Sequence, residues 1–210
     1  SRFLKDLDTK KQVVFDTTVF FEEEWDMKHL YIIGGTMGVG KSTVCRILKE
    51  KLEKSVFLDG DWCWDMHPFQ VTEETKRMVQ ENILFLLNNF LGCSAYDHVI
   101  FCWVLHQQQI IDDLLDRLGT KDCAVHLISL TCTEQELKER IRKDVDAGLR
   151  GEDAVARSVS RLALYDRLAT QKLDVTGRTP EETAEEILRM SGSLSSPGCR
   201  AFRNSSLEKR

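Results

Sequence analysis

The sequence lacks a close cysteine pair. Its seven cysteines stand at 45, 63, 93, 102, 123, 132 and 199 with no CxxC spacing, so a zinc ribbon is not expected. Several lie inside apolar runs such as VIFCWVL, and we read them as reduced, mostly buried thiols of a cytosolic protein. Positive charge is not in excess either. The 29 Lys and Arg face 34 Asp and Glu, a formal charge of −5, which gives no general attraction to a nucleic acid polymer or to an anionic membrane. No apolar run approaches the roughly 18 residues of a membrane span, and the first residues lack the basic, apolar, small-residue order of a signal peptide. A cytoplasmic protein is expected. With 42% hydrophobic and 30% charged residues over 210 positions, the chain suits one decorated domain with a real core, monomeric or homodimeric.

The two ends differ from the middle. Residues 1–26 carry an acidic run and read as an arm or an added remnant. Residues 191–210, rich in Ser and Gly, read as a disordered tail. Between them, 27–190 alternates strand and helix signals. Strands are expected near 29–33, 55–58, 98–105, 124–132 and 172–177. Helices are expected near 41–53, 72–91, 107–118, 133–145, 153–170 and 179–190. Thr133 with Glu136 reads as a capping box, and Pro180 sits in the first turn of the last helix. Alternation of this kind implies an α/β fold with a parallel sheet and helices on both faces.

The stretch GGTMGVGKST, residues 34–43, places four glycines within seven positions between a strand and a helix. It satisfies G-x-x-x-x-G-K-[ST] with Gly35, Gly40, Lys41 and Ser42. The backbone of Gly35, Thr36, Met37, Gly38, Val39 and Gly40 can wrap a phosphate where no Cβ intrudes. The helix starting at Lys41 points free N–H groups at the same anion. Lys41 would reach the outer phosphates, Ser42 would ligate magnesium (Mg2+), and Thr43 would donate to a nearby phosphate. A plain glycine turn is the competing reading, and the strand before and helix after weigh against it.

Such a site also needs acids. The third and fourth strands end without a carboxylate, but FLDGDWCWD follows the second. Asp59 and Asp61 therefore fall where ligands collect in a parallel sheet. One would hold the metal or its water, and the other would accept a proton from a substrate hydroxyl. Positive charge follows the fourth strand in Arg140, Arg142, Lys143 and Arg150, in a segment of about 140–157 that glycines could let hinge as a lid. Arg157 and Arg161 lie one turn apart on the next helix. Trp62, Trp64 and His106 are further candidates for substrate contact, whereas Trp103, His29, His98 and His126 read as packing residues.

These pieces resemble the P-loop small-molecule and nucleotide kinases, especially shikimate-kinase-like and gluconate-kinase-like enzymes and chloramphenicol phosphotransferase. The likeness covers about 28–190 and rests on GGTMGVGKST, on FLDGD and on SRLALYDRLATQKLDVTGRTPEETAEEIL. It implies the three-layer P-loop nucleoside triphosphate hydrolase/kinase fold, with five parallel strands in the order 2-3-1-4-5. It also implies ATP with magnesium and a small-molecule phosphate acceptor. Under it Asp61 is the substrate-binding base and Asp59 the metal-side aspartate. Arg161 faces substrate, Arg140 lies near adenine, Arg178, Thr179 and Pro180 form the adenine-side loop, and Arg150 is the lid arginine. CWVLHQQQ replaces the glycine cluster that shikimate kinases carry after the third strand, which argues against shikimate. The expected activity is transfer of the γ-phosphoryl group to a nucleoside or nucleotide, a sugar acid or an antibiotic. The alternative is a regulatory NTPase acting on a protein partner, against which the missing acid after the third strand counts.

Overall fold

The computed structural model describes residues 27–193. The expected N-terminal arm, and all of the expected tail beyond Ser193, lie outside the described residues. Five strands, β1 (Lys28–Gly35), β2 (Ser55–Asp59), β3 (His98–Cys102), β4 (Cys123–Thr131) and β5 (Gln171–Asp174), form one sheet. Its order is β2-β3-β1-β4-β5, and every pairing is parallel. The order matches the one the resemblance implies.

Alternation along each strand decides which face its side chains serve. In β1, Tyr31 and Ile33 join Ile100, Ile128 and Leu130 in one core. That core is covered by α1 (Lys41–Lys51) and α6 (Pro180–Met190) through Val44, Leu48, Ala184 and Ile187. Leu30 and Ile32 join Val99 and Phe101 on the opposite face. There α2 (Glu73–Gly92) and α3 (Gln108–Arg117) contribute Val79, Ile83, Leu87, Ile111 and Leu114. The remaining helices, α4 (Glu134–Asp146) and α5 (Ala154–Tyr165), close a third, smaller cluster of Leu137, Ile141 and Ala154, onto which Met37 packs. No helix among the described residues is long and apolar enough to cross a membrane. The six described cysteines are free, and burial with the neighbouring Cys102 pushes the Cys45 thiol well up, so it stays neutral in the core.

Three local expectations are corrected. The third strand stops at Cys102 rather than 105, because the chain turns where Trp103 lies over Gly60. Helix α5 stops at Tyr165 rather than 170. Leu168 is buried in the core beyond it, and Thr170 Oγ1 meets Ser129 Oγ at 2.7 Å. At α4, Thr133 caps the Glu136 N–H, but the Glu136 carboxylate does not close the box. It accepts instead from Arg140 and, at 2.7 Å, from the Gly177 N–H. Charge-assisted bonds to a guanidinium outcompete the neutral backbone donor of the cap.

At the end of the sheet remote from the glycine loop, three histidines share a stack. His29 lies between His98 and His126, at centroid distances of 5.4 and 5.3 Å. Tyr31 rests on His126 at 4.8 Å. Burial, with His29 and His98 alongside, lowers His126 from 6.5 to about 4. Between those values the unfolded chain binds a proton that the folded ring refuses. Stability should therefore be flat above pH 6.5 on this account and fall as pH drops towards 4, by about 2 kcal/mol after allowance for partial exposure. His126→Gln should flatten that part of the curve. Urea unfolding of both proteins at pH 7 and pH 4.5 is the check, and parallel curves would refute the assignment.

Candidate active site

The loop after β1 keeps its shape because two positions exclude a side chain. Gly38 has φ +81°, and a Cβ there would stand 2.5 Å from Ile141 Cγ1. At Gly35, φ +150°, it would stand 2.8 Å from Val39 Cγ1 and 3.0 Å from the Leu130 carbonyl. Only glycine fits either place. The loop is also fastened from outside, since Thr36 Oγ1 donates to the Ser158 carbonyl at 2.9 Å. This places α5 directly against the cup.

Helix α1, like α3 and α5, begins without a side-chain cap or a first-turn acid, unlike α2, α4 and α6. Those three carry Thr72, Thr133 and Thr179 as N-caps and glutamates in their first turns. The N-cap of α1 is Gly40, with no side-chain cap and no acid in the first turn. Its backbone donors and the positive end of its dipole are left for an external anion. Lys41, 8% exposed, donates to the Thr36 carbonyl at 3.1 Å. Burial lowers its pKa, and Asp61 and Asp59 are among the groups that offset this. An ammonium held so dry has much to gain from a polyanion.

Ser42 Oγ donates to Asp59 Oδ2 at 2.5 Å, which joins the start of α1 to the end of β2. Asp59 is itself 6% exposed and accepts the Asp61 N–H on Oδ1 at 3.1 Å, at the head of a 3-10 turn, Gly60–Trp64. A hydroxyl and a carboxylate side by side at the cup are a hard-oxygen set of the kind magnesium takes, with room left for water and phosphate ligands. Asp61 keeps contact with solvent. Desolvation by its surroundings and repulsion from Asp59 raise its pKa, while Lys41, the Trp103 side chain and Arg150 hold it down. Two neighbouring acids are thus pushed into different roles, one buried on the hydroxyl and one open to the cleft.

A cavity of about 270 Å3 adjoins the other side of the loop. Gly38, Val39, Gly40 and Thr43 form one wall and Arg140, Arg178 and Pro180 another, so the expected phosphate and adenine-side residues come together. Arg140 is already engaged. It donates to the carbonyls of Val39 at 2.9 Å and Val175 at 3.1 Å and to Glu136, so it clamps the loop to the exit of β5. Thr179 spends its hydroxyl on the cap of α6, accepting from the Glu182 N–H at 3.1 Å, and Thr183 rather than Thr179 lines the cavity.

Other expected residues are placed less centrally. Arg150 donates to Asp144 at 2.7 Å and remains near enough to Asp61 to act on its charge. Arg161 makes no ion pair among the described residues, and its one described electrostatic neighbour is the Tyr165 hydroxyl. Trp62 turns its ring edge-on to Phe57 at 5.3 Å and stays 53% exposed. His106 Nδ1 donates to the Val104 carbonyl at 3.2 Å, a local turn contact. Trp103, expected to pack, does pack against the core under α2 and α3, and its side chain also bonds Asp61. It leaves the sheet after β3 and packs so tightly on the turn that a Cβ at Gly60 would stand 2.6 Å from its Cγ. The Gly in FLDGD, one position before Asp61, was the available signal.

The model of the AAA domain family matches residues 32–157, more than half of the chain. No curated protein matches the sequence significantly. Among solved structures, the chain is similar to the tunicamycin resistance protein of Deinococcus radiodurans, with a TM-score of 0.60 and 17% identity over 79% of this chain and 96% of that one. It is similar to a gluconokinase of Sinorhizobium meliloti, with a TM-score of 0.59 and 16% identity over 80% and 93%. It is also similar to the shikimate kinase of Acinetobacter baumannii, solved with shikimate, with a TM-score of 0.51 and 20% identity over 80% and 94%. At such identities the likeness is one of fold. With its glycine loop, its uncapped α1 and its parallel sheet in the order β2-β3-β1-β4-β5, the chain belongs to the AAA domain family and is a P-loop protein built on the small-molecule kinase fold.

Proposed function

We propose that this protein is a phosphotransferase that uses ATP and magnesium to phosphorylate a hydroxyl or phosphate of a small molecule. The observation that carries this reading is the grouping of Lys41, the Ser42–Asp59 pair and Asp61 at one end of the sheet. The first three suit a bound triphosphate, and Asp61, solvent-exposed and bonded to the Trp103 side chain, is left over. A hydrolase needs only to orient water, whereas an exposed carboxylate beside the phosphate cup suits an acceptor that must lose a proton.

In this reading the loop amides and Lys41 hold the terminal phosphates. Arg140, by clamping the loop to β5, keeps one wall of the base cavity in place, and Arg178 and Pro180 form its outer side. Ser42 and Asp59 would hold magnesium, which when bound supplies neutralisation of phosphate charge. Asp61 orients the acceptor and takes its proton. Arg150, on the segment between α4 and α5, adds positive charge where negative charge develops. Packing of Met37 against α4 and α5 ties that segment to the phosphate cup, so its closure over a bound nucleotide would exclude water.

The test is a panel of acceptors incubated with γ-labelled ATP and magnesium and scored for labelled product. A product whose formation depends on acceptor supports the reading. Release of inorganic phosphate alone, unchanged by any acceptor and stimulated by a protein fraction, would favour the regulatory NTPase instead.

A further inference from the structure

Strand β4 is longer than its outer neighbour. It runs nine residues from Cys123, whereas β5 has four, and β5 pairs only with residues 128–131. On its inner side β4 is paired with β1 from Cys123 onward. Among the described residues, no strand lies against the outer edge of 123–127. Those five positions are all half-buried, and the next three are buried. A cavity of about 460 Å3 lies beside them, with Val125, His126 and Leu127 in one wall, residues 168–171 in another and Met190 of α6 also in the lining. Backbone at such an edge offers N–H and C=O groups to a further strand.

The chain itself carries a suitable segment next to this place. Lys28, the first residue of β1, is paired with Cys123, so the residues before it arrive at the foot of β4. TTVFF, residues 17–21, consists of β-branched and aromatic residues, and it equals the bare edge in length. Six residues, 22–27, join it to Lys28. They have to pass under one strand, about 10 Å between strands two places apart, and their reach is about 20 Å. That suits a strand antiparallel to β4. A parallel one would end level with Leu127, and the same six residues would have to run back its whole length before passing under β4. The other end of the chain suits the edge less. Ser193 also comes near, bonded to the Tyr31 hydroxyl at 2.7 Å, but the residues beyond it carry Pro197 and Gly198, both poor in strands.

We propose that residues 17–21 dock on the outer edge of β4 at 123–127 and extend the sheet there as an antiparallel strand. Phe21 then lies opposite Cys123, Val19 opposite Val125 and Thr17 opposite Leu127. Cys123, Val125 and Leu127 border the core under α2 and α3, so Val19 and Phe21 enlarge that core. Phe20 falls opposite Ala124, whose small side chain leaves room for a ring. The docking edge is at the end of the sheet remote from the glycine loop, and the inference is independent of the reaction proposed there.

Amide hydrogen exchange on the full chain tests this. The comparison is a double variant, Val19→Pro with Phe20→Pro, in which one of the two lost N–H groups faces β4 in either register. The outward-facing amides of 123–127 should exchange at least about tenfold more slowly in the unaltered chain than in this variant. Amides of α2 should be equally protected in both, which shows that the rest of the fold is intact. Val19→Gly with Phe20→Gly, a milder break, should shift the same amides by less. Lys11→Pro, outside the docking segment, should shift none of them. Equal exchange at 123–127 in the unaltered chain and the proline variant overturns the proposal. So does protection that fades on dilution together with a dimer, which would make a second copy the occupant. Protection that survives both prolines and is lost only when the chain is ended after Ser193 also overturns it, since the C-terminal segment would then be the occupant.

Discussion

Lys41→Ala should lower kcat by roughly 10²–10³-fold or more while leaving the fold in place. The rate loss follows from charge. Lys41 is the buried cation of the phosphate cup, and alanine puts nothing positive where the transferred group gathers negative charge. The retained fold follows from the same burial. In the free protein the ammonium has the Thr36 carbonyl at 3.1 Å as its hydrogen-bond partner, and desolvation lowers its pKa. Its removal relieves a dry charge but also ends its attraction to Asp61 and Asp59, and the two effects oppose each other. A melting temperature close to that of the unaltered chain, together with lost turnover, is the expected combination. Near-normal turnover would show that another cation occupies the role.

Asp61→Asn should separate binding from chemistry. The amide keeps the shape of the turn, because it is Asp59, not the Asp61 side chain, that accepts the turn's backbone bond at 3.1 Å. ATP affinity should stay within a few-fold, and transfer should fall by roughly 10²–10⁴-fold, the range for loss of a general base. Isothermal titration and single-turnover assays on the same preparation distinguish the two effects. Transfer that continues unchanged would remove Asp61 from the mechanism.

The pH dependence carries the same assignment. Desolvation and Asp59 raise the Asp61 pKa above 3.8. As pH falls through that raised value the carboxylate takes up a proton and can no longer accept one from substrate. The acid limb of kcat/KM should therefore lie above the ordinary aspartate value of 3.8. Arg150 is among the charges that hold this pKa down, so Arg150→Ala should move the limb higher still. A limb that ignores both Asp61→Asn and Arg150→Ala would belong to another group.

The parts of this site that were legible in the sequence are those whose geometry is local. The cup is a contiguous run, its glycines are required by backbone sterics, and Lys41 and Ser42 follow within the first turn of α1. The Asp59 and Asp61 pair was equally visible, because the last residue of a strand and the second residue beyond it lie at the same edge of a parallel sheet. Periodicity gave the elements and their parallel sense, while the strand order came from likeness to a family. Boundaries failed where a long-range contact overruled local pattern. The third strand reads as continuous through Trp103 until Gly60, more than forty positions earlier, offers the indole a flat surface. Glu136 fits a capping box until Arg140 and Gly177 compete for it.

By itself the sequence determined that this chain offers amides, a lysine and a hydroxyl to a polyanion, since those groups lie within ten consecutive residues. Tertiary structure decided what the other charged and aromatic residues do. It committed Arg140 to a clamp across residues 39 and 175, set Arg150 near Asp61 and laid Trp103 on the Gly60 turn beside the acid. The physical reason is distance along the chain. Groups separated by about thirty-five to a hundred residues meet only after the sheet has chosen its order, and burial then fixes which of them remain free to meet a ligand.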